Sequence, residues 1–241
     1  MVKMITYENL RNYAYSSDKI CSKPIRAIAV SFLGLNGCGI YNEDTSEALF
    51  LKDSGIIFVV PYTNPWSWMN KQAVDYTEEV LDVLFEKYSL PDDLPIISMG
   101  GSMGGLSSIV YTKYAKRTPS AVIANCPVCD LVYFFNERYD VQKSVYSAFW
   151  YEKDNFQDAL EAHSPMHLAK ELPDIPYHIF HCTDDKSVNI DDHSRKFVGK
   201  MRSLGHDITF DTVEGRGHCD LTEEMKNKYL AYVIKEAEKH I

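Results

Sequence analysis

The chain has 241 residues, a length that fits one large domain with a substantial core. Hydrophobic residues make up 45% of it and charged residues 24%, as in an ordinary globular protein, and the net charge of −9 argues against nucleic acid or an anionic membrane surface as a partner. No apolar run is long enough to span a bilayer, and the first eight residues lack the apolar block of a signal peptide. We therefore expect one cytoplasmic domain over residues 1–241.

Strand-like and helix-like patterns alternate along the first half of the chain. Short, nearly continuous apolar runs bounded by glycine or proline indicate strands buried on both faces, and apolar residues that recur every three to four positions indicate helices. The predicted elements are an edge strand over 10–15, a strand over 26–33, a helix over 44–54 that ends before Gly55, a strand over 56–60, a helix over 70–88, a strand over 94–98 and a helix over 106–115.

The second half continues the alternation after one irregular segment. Residues 127–157 have no clean periodicity but contain nine aromatic residues, and an unstructured loop of this length would be unusual, so we predict a small helical cap inserted at about 127–160. The remaining predicted elements are strands over 121–124, 175–181 and 207–213, a helix over 191–204, and a last helix that starts with a capping box at Asp220–Glu223 and ends near Lys239. The fold class is α/β, with a mostly parallel central sheet and helices on both faces.

The sequence Gly100-Gly101-Ser102-Met103-Gly104 lies between a predicted strand and a predicted helix. A serine flanked by glycines in this context is typical of a nucleophile elbow, a turn too sharp for larger neighbours that thrusts the hydroxyl clear of the sheet. The N-terminus of the next helix directs positive charge at the group that the serine attacks. Ser102 is therefore the candidate nucleophile.

A serine nucleophile needs a base, and the base needs an acid to orient it. In a parallel sheet these groups follow the carboxyl ends of strands, and two later strand ends supply them. Asp184 and Asp185 follow the strand over 175–181, and His218 follows the last strand in a glycine-containing loop. His218 is favoured as the base by its position, while the residues alone leave both aspartates open.

The order Ser, Asp, His, together with the elbow, resembles the α/β-hydrolase fold from about residue 25 to the C-terminus. Within it the chain is similar to compact esterases, including acetyl xylan esterase-like enzymes, and to the catalytic domains of prolyl-oligopeptidase-like and dienelactone-hydrolase-like enzymes. The pattern His-Gly-x-x-Asp-x-x-Val of such families fits residues 181–188, with Cys182 in place of the glycine, and implies that Asp185 is the acid. Their Gly-x-Gly-His pattern fits Gly215–His218.

The resemblance also implies an oxyanion hole of backbone N–H groups. One donor is the residue after the nucleophile, Met103, and the other lies in the loop after the first long strand. Matching Gly34 to the glycine of the family's His-Gly pair makes Leu35 the second donor. Leu33 stands where the family has histidine, so Asn36 remains an alternative donor.

The resulting hypothesis is a serine esterase that uses no cofactor and no metal and acts on a small-molecule or carbohydrate-linked carboxylic ester. Trp66 and Trp68, in a proline-containing loop, are candidate substrate-binding residues. The alternatives are a prolyl-oligopeptidase-like peptidase and a non-catalytic binding protein on the same fold. The sequence leaves the oligomeric state open.

Six irregularly spaced cysteines in such a domain favour free thiols over disulfides. Cys126 and Cys129 form a Cys-x-x-Cys pair, which suggests zinc or redox chemistry. No second pair completes a structural zinc site, and this pair follows a strand rather than starting a helix, so we predict neither function. Cys219 adjoins His218, so modification of its thiol is expected to affect the base.

Overall fold

The computed structural model describes residues 4–240, which contain one seven-stranded sheet. The strands are β1 (Ala14–Ser16), β2 (Ala27–Phe32), β3 (Ile56–Pro61), β4 (Ile96–Gly101), β5 (Ala121–Asn125), β6 (Tyr177–Cys182) and β7 (Ile208–Val213). The α-helices are α1 (Ser46–Leu51), α2 (Lys71–Tyr88), α3 (Met103–Tyr114), α4 (Leu131–Glu137), α5 (Tyr139–Ala148), α6 (Phe156–Ala162), α7 (Pro165–Leu168), α8 (Lys196–Ser203) and α9 (Glu223–Glu238).

The strand order is β1-β3-β2-β4-β5-β6-β7. β1 pairs antiparallel with β3, and all other neighbours are parallel. The carboxyl ends of β2, β4, β5, β6 and β7 therefore lie along one edge of the sheet, where the loops that follow them meet. The predicted α/β class with a mostly parallel sheet is confirmed.

The core lies on both faces of the sheet. Ile28 and Val30 of β2 belong to one apolar cluster and Ala27 and Ala29 to another, because successive side chains of a strand point to opposite faces. Helices α2, α3 and α8 contribute to the first cluster, and α1 and α9 to the second. Burial on both faces explains why the strands read as continuous apolar runs.

Most predicted elements are confirmed within two or three residues. α2 begins after Asn70, whose side chain accepts the N–H of Ala73 at 3.1 Å, and the turn after α1 ends at Gly55, which has φ of +68°.

Three predicted boundaries were wrong. A 3-10 turn over Leu10–Asn12 occupies most of the expected edge strand, which pairs only from Ala14. Residues Asp191–Arg195 form a π-helical turn before α8. The cap of α9 is Thr222, which accepts the N–H of Met225 at 3.2 Å, rather than Asp220.

Helices α4–α7 and a 3-10 segment over Trp150–Asn155 occupy the stretch between β5 and β6. Four of their aromatic side chains pack against one another edge to face, Phe135 with Phe156 and Tyr146 with both Trp150 and Phe156. α4 and α5 also contribute residues to the cavity described below. Among residues 4–240, no helix combines the length and apolar composition needed to cross a bilayer.

Candidate active site

Ser102 occupies a strained turn between β4 and α3. Its φ of +59° and ψ of −124° are outside the regions that residues with a Cβ ordinarily adopt, and its N–H donates to the carbonyl oxygen of Asn125 at 2.9 Å. A Cβ at position 100 would overlap the carbonyl of Gly104, and a Cβ at position 104 would overlap the carbonyl of Phe32. Glycines are therefore required on both sides, because backbones approach there too closely for a side chain.

Tyr229 of α9 supports the strand that carries this serine. Its buried hydroxyl accepts the N–H of Gly100 at 3.1 Å and donates to the carbonyl oxygen of Ile123 at 2.9 Å. The hydroxyl therefore links the neighbouring strands β4 and β5. Sequence analysis placed Tyr229 in the last helix but carried no signal for this contact.

Asp185 lies in the loop after β6 with its side chain fully buried. Its Oδ1 accepts the N–H groups of Ser187 at 2.8 Å and Val188 at 2.9 Å, and its Oδ2 accepts Nδ1–H of His218 at 2.6 Å. Burial alone would raise the pKa of this carboxyl, but the hydrogen bonds from His181, His218 and Val188 together lower it well below its usual range. Asp185 is therefore ionised.

Asp184, the competing acid, faces solvent. Its Oδ1 accepts the hydroxyl of Thr183 at 3.4 Å, and its N–H donates to the carbonyl oxygen of Arg216 at 3.0 Å. Of the two aspartates, the structure places Asp185 against the histidine.

His218 is half-buried in the loop after β7. Burial lowers its pKa, but hydrogen bonding to Asp185, with a further contribution from Cys126, outweighs this and raises the pKa to about 9. Its Nε2 lies 3.8 Å from Sγ of Cys219. The imidazole becomes a better proton acceptor because the carboxylate stabilises its charged form.

Ser102 and His218 line one cavity of about 490 Å³ at the carboxyl edge of the sheet. Of the described histidines, His218 is the one that reaches it. The remaining lining residues are Phe32, Leu33, Gly34, Leu35, Asn36, Trp68, Gly101, Val128, Phe134, Arg138, Val141, Ser187, Val188 and Cys219.

Two backbone N–H groups are available beside the serine. Met103 is the first residue of α3, so its N–H has no acceptor within the helix. Leu35 lines the cavity, and within residues 4–240 its N–H meets no hydrogen-bond acceptor. Asn36, the alternative donor, uses its N–H on the carbonyl oxygen of Pro65 at 3.1 Å.

The two candidate tryptophans have different surroundings. Trp68 is only 1% exposed, borders the cavity and donates its indole N–H to Oγ of Ser144 at 3.2 Å. Trp66 is outside the lining and donates its indole N–H to Oδ1 of Asn36 at 2.7 Å. Trp66 therefore supports the loop after β2 rather than the cavity wall.

Arg138 is a cavity residue that sequence analysis missed. Its guanidinium donates to the carbonyl oxygen of Ser187 at 2.6 Å and forms two hydrogen bonds with the carboxylate of Asp140, at 2.6 and 2.8 Å. It lies just before α5, in the segment without periodicity, where no pattern distinguished it.

The sheet order and the serine turn after β4 are those of the α/β-hydrolase fold. Residues 56–240 match the prolyl oligopeptidase family, and the chain belongs to that family. No curated protein sequence matches the chain.

Solved structures with the same fold include both peptidases and an esterase. A puromycin-hydrolysing peptidase from Mycobacterium tuberculosis superposes with a TM-score of 0.71 at 16% identity, covering 91% of this chain and 35% of its own. Esterase PE8 superposes with a TM-score of 0.61 at 17% identity, covering 89% of this chain and 94% of its own. The acylaminoacyl peptidase of Pyrococcus horikoshii superposes with a TM-score of 0.62 at 14% identity, covering 89% of this chain and 36% of the peptidase chain. The chain thus spans about a third of the length of the peptidases and nearly the full length of the esterase.

Proposed function

We propose that this chain is a serine esterase in which Ser102 is the nucleophile, His218 the base and Asp185 the orienting acid. The observation that carries the proposal is the 2.6 Å contact between His218 and a buried, ionised Asp185, at the cavity that Ser102 also lines. No step requires a cofactor, because acyl transfer to serine and then to water needs only proton transfer and stabilisation of an oxyanion.

In this mechanism Ser102 attacks the carbonyl carbon of the ester while Nε2 of His218 accepts the hydroxyl proton. Asp185 keeps the imidazole in the tautomer with Nδ1 protonated and stabilises its charged form. The N–H groups of Met103 and Leu35 donate to the oxyanion. His218 then protonates the leaving alcohol, and a water molecule repeats the two steps to release the acid.

Two observations support an ester substrate. The cavity wall is largely apolar, with Trp68, Phe134 and Val141 on the side of α4 and α5, and its volume suits a small acyl group. Esterase PE8 is also among the solved structures that share this fold. A peptidase activity is the second candidate, supported by the family match and by the peptidases among the solved structures.

A fluorophosphonate probe tests the nucleophile, because it reacts covalently with an activated serine. We expect labelling at one residue, Ser102, as located by peptide mass spectrometry. Ser102→Ala should abolish labelling and lower kcat by at least about 10⁴-fold. Labelling that persists in folded Ser102→Ala, or an unlabelled wild type, would show that Ser102 is not the nucleophile.

A substrate panel separates the two candidate activities. It consists of short aryl esters, acetylated xylan, feruloyl esters and proline-containing amides, each compared by kcat/KM in wild type and in Ser102→Ala. Ester hydrolysis that depends on Ser102 and exceeds amide hydrolysis supports the esterase. The reverse order would make the chain a peptidase.

A further inference from the structure

Two thiols that the proposed hydrolysis does not use lie beside the base. Cys126 directly follows β5, and Cys219 directly follows His218. Sγ of Cys126, Sγ of Cys219 and a ring nitrogen of His218 all lie within 4.8 Å of one another, although Cys126 and Cys219 are 93 residues apart. Cys129, the other half of the Cys-x-x-Cys pair, is outside this group and lies 4.0 Å from Oγ of Ser194.

The two sulfurs have different hydrogen-bond partners, and Sγ of Cys219 donates to the carbonyl oxygen of Asn125 at 3.6 Å. Sγ of Cys126 accepts two backbone N–H groups, from Cys182 and from Cys219, each at 3.4 Å. The hydrogen bond with Cys219 and burial raise the pKa of Cys126, whereas the backbone N–H donors at its sulfur favour the thiolate, the form in which cysteine binds metals. Both cysteines also have positive φ, +45° and +56°, a strained conformation for residues with a side chain.

We propose that Cys126, Cys219 and His218 form a site for one Zn²⁺ ion, and that its binding removes the base from Ser102. Two thiolates and an imidazole match the preference of zinc, whereas Mg²⁺ and Ca²⁺ prefer oxygen ligands. Tetrahedral zinc places such ligand atoms roughly 3.5–3.8 Å apart. The contact of 3.8 Å between Nε2 and Sγ of Cys219 already fits, and the other separations need to close by at most about 1.3 Å.

The remaining requirements of a zinc site are also met. Nδ1 of His218 stays bonded to Asp185, which supplies the carboxylate that commonly orients a zinc-bound histidine. Cys219 and His218 both line the active-site cavity, so the ion has an access path from solvent. On binding, the two thiol protons and the proton that Nε2 of His218 carries when the imidazole is charged pass to solvent, two Zn–S bonds and one Zn–N bond form, water takes the fourth position, and zinc remains divalent.

Zinc binding is expected to inhibit hydrolysis, because Nε2 of His218 is the atom that accepts the proton of Ser102. This expectation rests on the proposed function. A nitrogen whose lone pair coordinates zinc cannot act as a base. The site is therefore an inhibitory site for a soft divalent cation, distinct from a catalytic zinc centre, in which the metal activates water.

A second triple of potential ligands shares Cys126 and provides a comparison. Cys126, His181 and Asp185 also lie within 4.8 Å of one another, but all three are buried. Cys219→Ser leaves this triple intact and removes one thiolate from the proposed site, so it distinguishes the two. Cys38→Ser is the matched control, because Cys38 is exposed and absent from both groups.

The experiment titrates the reduced full chain with zinc chloride by calorimetry, and with Co²⁺ by thiolate-to-metal absorption. We expect one Zn²⁺ per chain in wild type and in Cys38→Ser, and at least a tenfold weaker affinity in Cys219→Ser. In wild type, bound zinc should also protect Cys219 from iodoacetamide, as measured by mass spectrometry, a result that does not depend on how a variant folds.

The readouts separate this inference from the esterase proposal. If the chain binds zinc through Cys219 but hydrolyses no ester or amide, the site stands and the proposed function fails. If it hydrolyses substrate but binds no zinc, or binds it equally well in Cys219→Ser without protecting Cys219, the zinc site is wrong. If both hold, zinc should inhibit wild type and Cys38→Ser, and a chelator should restore the rate.

Discussion

The two oxygens of Asp185 have separate tasks. Oδ1 accepts two N–H groups of its own loop, which hold the carboxylate in position, while Oδ2 accepts Nδ1–H of His218. His181 lies behind the acid, with its Nε2 at 3.4 Å from Oδ2 and at 3.0 Å from the carbonyl oxygen of Val188. This arrangement leaves Nε2 of His218 as the nitrogen directed away from the acid.

We predict that Asp185→Asn lowers kcat/KM by about 10³–10⁴-fold. The amide keeps the size of the side chain but no longer stabilises the charged imidazole or selects its productive tautomer. Asp184→Asn should change kcat/KM by less than about threefold, because Asp184 faces solvent. Aryl ester hydrolysis measures both variants, with circular dichroism as the check on folding. A larger loss in Asp184→Asn would reverse the assignment of the acid.

At the scale of elements, the serine turn depends on how closely α3 packs against the sheet. The backbone of α3 at Gly104 lies against the carbonyl of Phe32 in β2, and Gly105 faces Pro127 after β5. This close approach places the N-terminus of α3, with the free N–H of Met103, beside the loop that contains Leu35. Small residues at the start of α3 therefore determine where the proposed oxyanion donors lie.

We predict that Gly104→Ala lowers the free energy of unfolding by about 2–3 kcal/mol, because its Cβ would overlap the carbonyl of Phe32. Gly199→Ala in α8 is the matched control. A Cβ there meets nothing within 4 Å, so alanine should raise stability by about 0.5–1 kcal/mol through helix propensity. Urea unfolding followed by circular dichroism measures both. Equal urea midpoints for the two variants would contradict the close approach of Gly104 to the carbonyl of Phe32.

At the scale of the whole molecule, several buried histidines link stability to pH. Burial lowers the pKa of His163, His178 and His193, in the last case to about 4. His193 is fully buried, its Nδ1 accepts the N–H groups of Cys129 and Asp130, and its Nε2 has no hydrogen-bond partner among residues 4–240. The titratable groups facing it are Asp130, Tyr133, His181, Asp185 and Asp192.

We predict that the chain loses stability as pH falls from about 6.5 towards 4. In this window the unfolded chain binds a proton at His193 and the native chain does not, so the contribution is complete above pH 6.5 and declines below it. For His193 the loss is roughly 3 kcal/mol. Urea unfolding at several pH values measures it.

His193→Asn is the control for this loss, because the amide oxygen can accept the same N–H groups but does not titrate. Its stability should fall less steeply with acid than that of wild type. Parallel pH profiles for the two proteins would show that His193 is not the cause.

The sequence by itself determined the features that local physics controls. Apolar runs in β2, β3 and β5 specified strands that are buried on both faces. The helical spacing of apolar residues and the capping residue specified α2. These signals depend only on residues within a few positions of one another. The glycines around Ser102 were informative for the same reason, since a sharp turn excludes side chains wherever it occurs.

Only the tertiary structure decided which residues from different loops meet. The residues alone left Asp184 and Asp185 open, and the direction of the loop after β6 places Asp185 on His218. The tertiary structure likewise places Trp68 rather than Trp66 at the cavity. It groups Cys126 with Cys219 rather than with Cys129. Loop directions depend on contacts between residues far apart in the chain, and no local pattern encodes those contacts.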